Sequence, residues 1–263
     1  MKILLATSNP HKLEEIKRIF KQEHAETQVG QAYGGSTMGR IQWDGLSGVC
    51  PVPEPVEDQE TFAGNAALKA RHYAHLTGLP CLADDSGLEV DAFGGEPGVR
   101  SARFAGVEGP RRVVDPANNA LILKRLGELS AEKRSARFVC AMSLCGVGPA
   151  DFLAVRSEEV EGDVGRPGDP APVARADQIC EWISVHGTVE GRILGPGDPG
   201  YAIDNPIGRG ANGFGYDPLF LVPRLGKTTA ELSSAEKNAI SHRGHAARKM
   251  WRALAARVGS MTA

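Results

Sequence analysis

Asp84 and Asp85 stand side by side in the segment ADDSGLEV, where a short apolar run gives way to polar residues. Oxygen ligands of this kind suit Mg²⁺, which takes one or two carboxylates and completes its shell with water and substrate phosphates. A neighbouring carboxylate can also accept a proton from an attacking water. Asp, Ser and Gly are equally ordinary in a solvated turn, so this segment alone leaves both readings open. Upstream, Glu54, Glu57, Asp58 and Glu60 form a reservoir of carboxylates ahead of a helical pattern that carries Asn65 and Lys69 four residues apart.

Three further groups have types and spacing suited to chemistry. Thr7, Ser8, Asn9 and Lys12 lie in a small polar loop that leads into a helix, where free N–H groups, the helix dipole and the Lys12 charge would welcome phosphate. Plain capping of a surface helix by Asn9 and Pro10 explains the same residues. In GFGYDPLF, glycines on both sides of Phe214, then Tyr216 and Asp217, let backbone approach a flat heteroaromatic ring and offer it aromatic faces and a carboxylate. A turn with Phe214 tucked into the core is the competing account. Lys237, His242 and Arg243 cluster before the last amphipathic segment, where a solvated basic surface is the ordinary reading. Two other matches fail on context. Gly208, Gly210 and Gly213 spell a dinucleotide-type pattern without the preceding strand, and Gly226-Lys227-Thr228 lacks the earlier glycine of a phosphate loop.

The elements that must position these residues follow from periodicity. Residues 2–6 read as a strand, and Leu13, Ile16, Ile19 and Phe20 as one face of a helix with Pro10 at its first position. Residues 61–77 read as a helix closed by Gly78, and 79–83 as a strand that stops at Asp84-Asp85. A helix is expected over 118–126 and strands over 136–144 and 179–189. Within 233–258 the helical signal lies in the second half, where Ala247, Met250, Leu254 and Val258 line up. Alternating strands and helices indicate an α/β class. Stretches near 31–52, 161–175 and 196–210 are rich in Gly, Ser or Pro and read as surface insertions in a single domain spanning 1–263.

Composition closes several doors. Lys and Arg total 30 against 32 Asp and Glu, so the chain has no global field for nucleic acid or an acidic membrane, and an anionic ligand must be held locally. No apolar run approaches the roughly 20 residues of a membrane span, and the N-terminus lacks a signal-peptide core, which points to the cytoplasm. The five cysteines, an odd number without a C-x-x-C pair, argue against a disulfide framework or a zinc ribbon and read as buried free thiols.

Taken in order, LLATSNPHKLEEI, TFAGNAALKARHYA, LPCLADDSGLEVDAFGGEPGVRSARFAG, GANGFGYDPLFLVP and KTTAELSSAEKNAISHRGHAARKM closely resemble the inosine triphosphate pyrophosphatase family. The resemblance implies an elongated two-lobed fold with a mixed central sheet, flanking helices and a cleft between the lobes. It also implies a homodimer, Mg²⁺ dependence, and hydrolysis of ITP, dITP and XTP to the monophosphate and pyrophosphate. Carried over, it assigns triphosphate binding to Thr7, Ser8, Asn9 and Lys12, and makes Asp85 proton acceptor and metal ligand. Asp84 joins Asp85 as a metal ligand, Glu57 takes the acidic position before the TF helix, and Ser86 contacts substrate. The base pocket falls on Phe214, Gly215, Tyr216 and Asp217, with Lys237, His242 and Arg243 arriving from the C-terminal segment. A pyrophosphatase for another modified nucleotide and a non-catalytic nucleotide-binding protein are the alternatives.

Overall fold

The computed structural model describes residues 2–7, 9–30, 41–46, 52–148, 175–203 and 206–259. Seven strands form one mixed sheet: β1 (Lys2–Leu5), β2 (Gln42–Gly45), β3 (Cys81–Val90), β4 (Ser135–Val147), β5 (Ile179–Ile193), β6 (Phe220–Val222) and β7 (Lys227–Thr228), in the order β2-β1-β3-β4-β5-β6-β7. Strand β1 pairs in parallel with β2 and β3, while β5, β6 and β7 pair antiparallel. The helices are α1 (Pro10–Gly30), α2 (Phe62–Thr77), α3 (Arg111–Leu126), α4 (Ser234–Ile240) and α5 (His242–Gly259). The α/β expectation is borne out. Among the described residues no helix is long and apolar enough to cross a membrane.

The chain divides into two compact units, and it passes from one to the other within β3, β4, β5 and α5. The first comprises the described residues of Met1–Asp85, Ala141–His186 and Ala246–Ala263. Ile3, Leu4 and Leu5 are all buried, as a strand covered on both faces requires. One face of α2 buries Ala66, Ala70, Tyr73 and Ala74; the small Ala70 and Ala74 let the helix lie close to Leu4, Cys81 and Ala83, and the Tyr73 ring joins the same cluster. Its ends are written locally. The Thr61 hydroxyl accepts from the Gly64 N–H at 3.0 Å, and Gly78, at φ 64°, closes the last turn by donating to Ala74.

The second unit comprises Ser86–Cys140 and Gly187–His245. Its core joins Leu88 and Val90 of β3, Ile122, Leu123 and Leu126 of α3, Phe138 of β4, and Tyr216, Leu219 and Phe220.

Several expectations are corrected. Strand β3 does not stop at Asp84-Asp85 but runs through Asp84, Asp85, Ser86 and Gly87, because both buried carboxylates have a cationic partner, Lys12 and Lys69, and need no solvated turn. Helix α3 begins at Arg111 rather than Asn118, with Pro116 inside it. Residues 234–240, in the half of the C-terminal segment without a helical signal, form α4. Three described cysteines are buried thiols, but Cys180 is exposed. Burial pushes the Cys81 thiol up to about 12, which makes it inert. Strands β4 and β5 extend past their expected ends; in β5, Gly191 allows this because a Cβ there would strike Leu221 of the paired strand β6. Ser8, Cys50, most of 31–52 and nearly all of 161–175 lie outside the described residues, as does the Val258 side chain.

Candidate active site

In the first unit, the carboxylates sit where α1 and α2 meet β3. At the start of α1, the side chain of Asn9 accepts from the His11 N–H at 3.0 Å, and the Thr7 hydroxyl accepts from the Asn9 N–H at 3.2 Å. This turn places Lys12 one step inside the helix, with Nζ 2.9 Å from Asp84. From α2, Nδ2 of the fully buried Asn65 donates to Asp85 at 3.2 Å, and Lys69 donates to Asp85 at 3.3 Å and to Glu57 at 3.1 Å. The spacing of Asn65 and Lys69 thus puts both donors on one carboxylate. The Gln59 N–H, which sequence reasoning did not single out, donates to Oδ1 of Asn65 at 3.1 Å and so fixes which end of that amide faces Asp85.

Asp84 and Asp85 have separate cationic partners. Neighbours on an extended strand project to opposite faces, and here they have separate partners, Lys12 and Lys69. The carboxylate that joins Asp85 here is Glu57, through their shared ammonium. Burial pushes the Asp85 carboxyl above the ordinary carboxylate range against the pull of Lys69, and Glu57 pushes it the same way. Burial opposes the charge of Lys69, yet Asp85, Asp84 and Glu57 together hold its ammonium above the usual value. The result is a dry carboxylate with raised proton affinity, steadied by one cation and one amide.

In the second unit the polar groups converge on the turn after Gly213. Asp217, 2% exposed, accepts from the Phe214 N–H at 2.8 Å and from Lys237 at 2.5 Å on one oxygen, and from the Thr229 hydroxyl at 2.8 Å on the other. Gly213 has φ 81°, and a Cβ there would collide with that carboxylate. Asp217 therefore organises the turn, which displaces the expectation that it accepts from a bound ring. Tyr216 lies in the core and donates to the Ser101 carbonyl at 2.7 Å; burial pushes its phenol up, and it supports the turn from beneath. Phe214 is half-buried, with Arg111, Lys237 and Arg243 at 4.8, 5.3 and 6.0 Å from its ring centroid.

Lys237, His242 and Arg243 are brought here by a break between two helices. A capping box of Ser233 and Glu236 starts α4, and Ser241 ends it by donating from its N–H to the Lys237 carbonyl at 2.7 Å. The Ser241 hydroxyl then accepts from the Gly244 N–H at 3.0 Å and opens α5. Gly244 is required because a Cβ would strike the Asn238 carbonyl. His242 stacks on Phe138 at 4.9 Å, and Arg243, 1% exposed, donates to the Ser86 hydroxyl at 2.9 Å. Asp115, Asn119, Thr229 and Arg111 were not legible as site residues. A polar Asn119 on the buried face of α3 was the one available signal.

A mixed α/β sheet carrying a buried carboxylate, lysine and amide cluster, and a glycine-framed aromatic turn ringed by cations, describes a nucleotide-handling enzyme. The model of the Ham1 family matches residues 3–170 and 173–253. A dITP/XTP pyrophosphatase of Exiguobacterium sibiricum is 38% identical over 98% of this chain and 100% of its own length, and one of Bifidobacterium longum subsp. infantis is 40% identical over 94% and 95%. Among solved structures, a HAM1 protein from Coxiella burnetii matches with TM-score 0.67 and the Staphylococcus aureus Ham1 protein with 0.65, each 31% identical over 97% of this chain and 98% of the other. The chain belongs to the Ham1 family.

Proposed function

We propose that this chain is a dITP/XTP pyrophosphatase, hydrolysing deaminated purine nucleoside triphosphates to the monophosphate and pyrophosphate. The observation that carries the reading is the buried Asp85, held by Lys69 and Asn65, in a chain that aligns nearly end to end with relatives named for that activity. Asp85 takes the proton of a water that attacks the α-phosphorus, and its raised proton affinity suits it to that task. Lys12, with Thr7, Ser8, Asn9 and the N–H groups at the start of α1, binds phosphate oxygens. Phe214 is the stacking platform for the base, and Lys237 neutralises negative charge beside it. Arg243, stripped of water and 6.0 Å from that ring, donates to the 6-keto oxygen, with His242 alongside and Ser86 holding the guanidinium. Adenine carries an amino group at that position, so a donor would face a donor.

Glu57 and Asp85 fit a hard divalent cation as an oxygen-only pair drawn together at one lysine. Hard carboxylate oxygens without a Cys or His partner are the ligand type that suits Mg²⁺, which completes its shell with water and substrate phosphates. Bound there, Mg²⁺ would neutralise charge developing on the departing pyrophosphate. Asp84 serves instead to hold Lys12. The homodimer expected from the resemblance is part of this reading, and light scattering tests it.

A panel of ITP, dITP, XTP, GTP, ATP and modified pyrimidine triphosphates, with pyrophosphate and orthophosphate measured separately, tests the function. Pyrophosphate from ITP and XTP, lost in EDTA and restored by Mg²⁺, is the expected result. Stepwise orthophosphate release, preference for a pyrimidine, or binding without turnover would each refute it.

A further inference from the structure

Two glycines frame Phe214, Gly213 at φ 81° and Gly215 at φ 63°, so the backbone on either side of the ring has more freedom than any other residue type allows. Something beyond local chain stiffness must therefore set where the ring stands. On the Phe214 side, Asp217 holds the N–H. On the Gly215 side, helix α3 grips both polar groups of one residue. The Gly215 N–H donates to Oδ2 of Asp115 at 2.9 Å, and the Gly215 carbonyl accepts from Nδ2 of Asn119 at 3.2 Å. Asp115 and Asn119 are four residues apart, so one face of α3 offers an acceptor and a donor one turn from each other.

Core packing does not account for this pair. Asn119 is 4% exposed on the same helix as the buried Ile122 and Leu123, and its Oδ1 is buried without a hydrogen-bond partner. An apolar side chain would avoid that desolvation, so the amide is useful there for the one bond it makes to Gly215. Asp115 also lies 3.8 Å from the half-exposed Arg111, whose guanidinium covers the Phe214 ring, which gives it a second route to the same ring.

We infer that Asp115 and Asn119 are positioning residues for base recognition: acting through Gly215, they hold the Phe214 ring in the orientation on which a purine stacks. The inference rests on the assignment of Phe214 as the base platform. Such residues govern binding of every purine substrate without touching it, and they leave the chemistry at Asp85 alone.

The test compares the parent with Asp115→Ala, Asp115→Asn, Asn119→Ala and Arg111→Ala, reading KM and kcat for ITP and the thermal shift produced by inosine monophosphate. Loss of one anchoring bond in Asp115→Ala should raise KM about tenfold, leave kcat within about threefold, and shrink the inosine monophosphate shift. Asp115→Asn keeps an oxygen acceptor for the Gly215 N–H and should restore KM to within about threefold of the parent. Asn119→Ala breaks the clamp from its other end, should raise KM in the same way, and decides the matter if Asp115→Ala does not fold. Arg111→Ala removes a cation from the ring but leaves both clamp bonds in place, and should raise KM less than Asp115→Ala does. Unchanged KM in Asp115→Ala and Asn119→Ala, an Asp115→Asn as impaired as the alanine, or an Arg111→Ala that reproduces the Asp115→Ala loss overturns the inference. A parent inactive on every purine triphosphate overturns the proposed function and this inference with it, whereas an active parent with unaltered variants overturns the inference alone.

Discussion

Removing Asp217 should cost more stability than any other single change in the second unit's turn, and the loss can be worked from its contacts. Its carboxylate faces Lys237 at 2.5 Å, the two side chains being 3% and 11% exposed. Asp217→Ala leaves that ammonium nearly dry and without its counter-charge, and breaking a buried pair from one side costs about 3–5 kcal/mol. The Phe214 N–H and the Thr229 hydroxyl lose their acceptor as well, at about 1 kcal/mol each before water enters the gap. A loss of about 5–7 kcal/mol is expected, which for a chain of this size lowers the melting temperature by roughly 10–28 °C. Removing both charges with Asp217→Ala and Lys237→Met together should recover most of it, leaving about 2 kcal/mol for the two orphaned donors. Urea unfolding of the parent, both single variants and the double variant at 25 °C, followed by circular dichroism, gives the coupling energy. A single-variant loss under about 1 kcal/mol, or a double variant no more stable than Asp217→Ala, would show that this carboxylate is not the organiser of the turn.

Asp85→Asn should lower turnover by about 10²–10⁴ with the fold intact, measured as pyrophosphate release; near-normal turnover would remove Asp85 from the chemistry. The same variant has a signed effect on stability. Because burial, opposed by Lys69, lifts the folded-state value above the ordinary 3.8, the contribution of Asp85 is complete below 3.8 and is lost as pH rises through the folded value. Asp85→Asn should therefore gain stability relative to the parent as pH rises from 3 to neutrality, and melting curves across that range check it. Asp198 runs the opposite way. Hydrogen bonds from Arg192, at 2.5 and 2.7 Å, hold its carboxyl below 3.8 against partial burial, so its stabilisation is present above 3.8 and fades as pH falls through the lowered value. Asp198→Asn should cost about 1–3 kcal/mol at pH 7, and the gap to the parent should close in acid. Gly244→Ala drives a Cβ into the Asn238 carbonyl and should destabilise by about 1–3 kcal/mol; thermal melting that matches the parent would deny the close approach.

Much of the molecule was legible one residue at a time. The buried face of α2, its Thr61 and Gly78 caps, and Pro10 at the head of α1 follow from periodicity and capping chemistry, which act within a few residues of chain. Lys12 and Asp85, and Phe214 with Lys237 and Arg243, were recognisable because ordered motifs along the chain resemble a known family, whereas the meeting of Asn65 and Lys69 at Asp85 was not. Local reasoning misread α3, whose start was expected at Asn118 although the helix begins at Arg111 and runs through Pro116.

What local chemistry could not decide was the state of the charged groups. Asp-Asp-Ser-Gly has the composition of a turn, and it is a strand only because Lys12 and Lys69, delivered by two helices distant in sequence, compensate the two carboxylates in the interior. The same physics separates Asp84 from Asp85, since adjacent strand residues face opposite sides and must find different partners. Asp217 looked like a ligand contact and proved a scaffold because Phe214, Thr229 and Lys237 all converge on it in space. Asp115 and Asn119 carried no motif at all; their part in the turn exists only because folding brings α3 to Gly215, nearly a hundred residues further along the chain. A backbone element can be specified by short-range sterics and hydrogen bonds, but the role of a buried charge depends on which counter-charge the fold sets beside it, and that partner is chosen by tertiary structure.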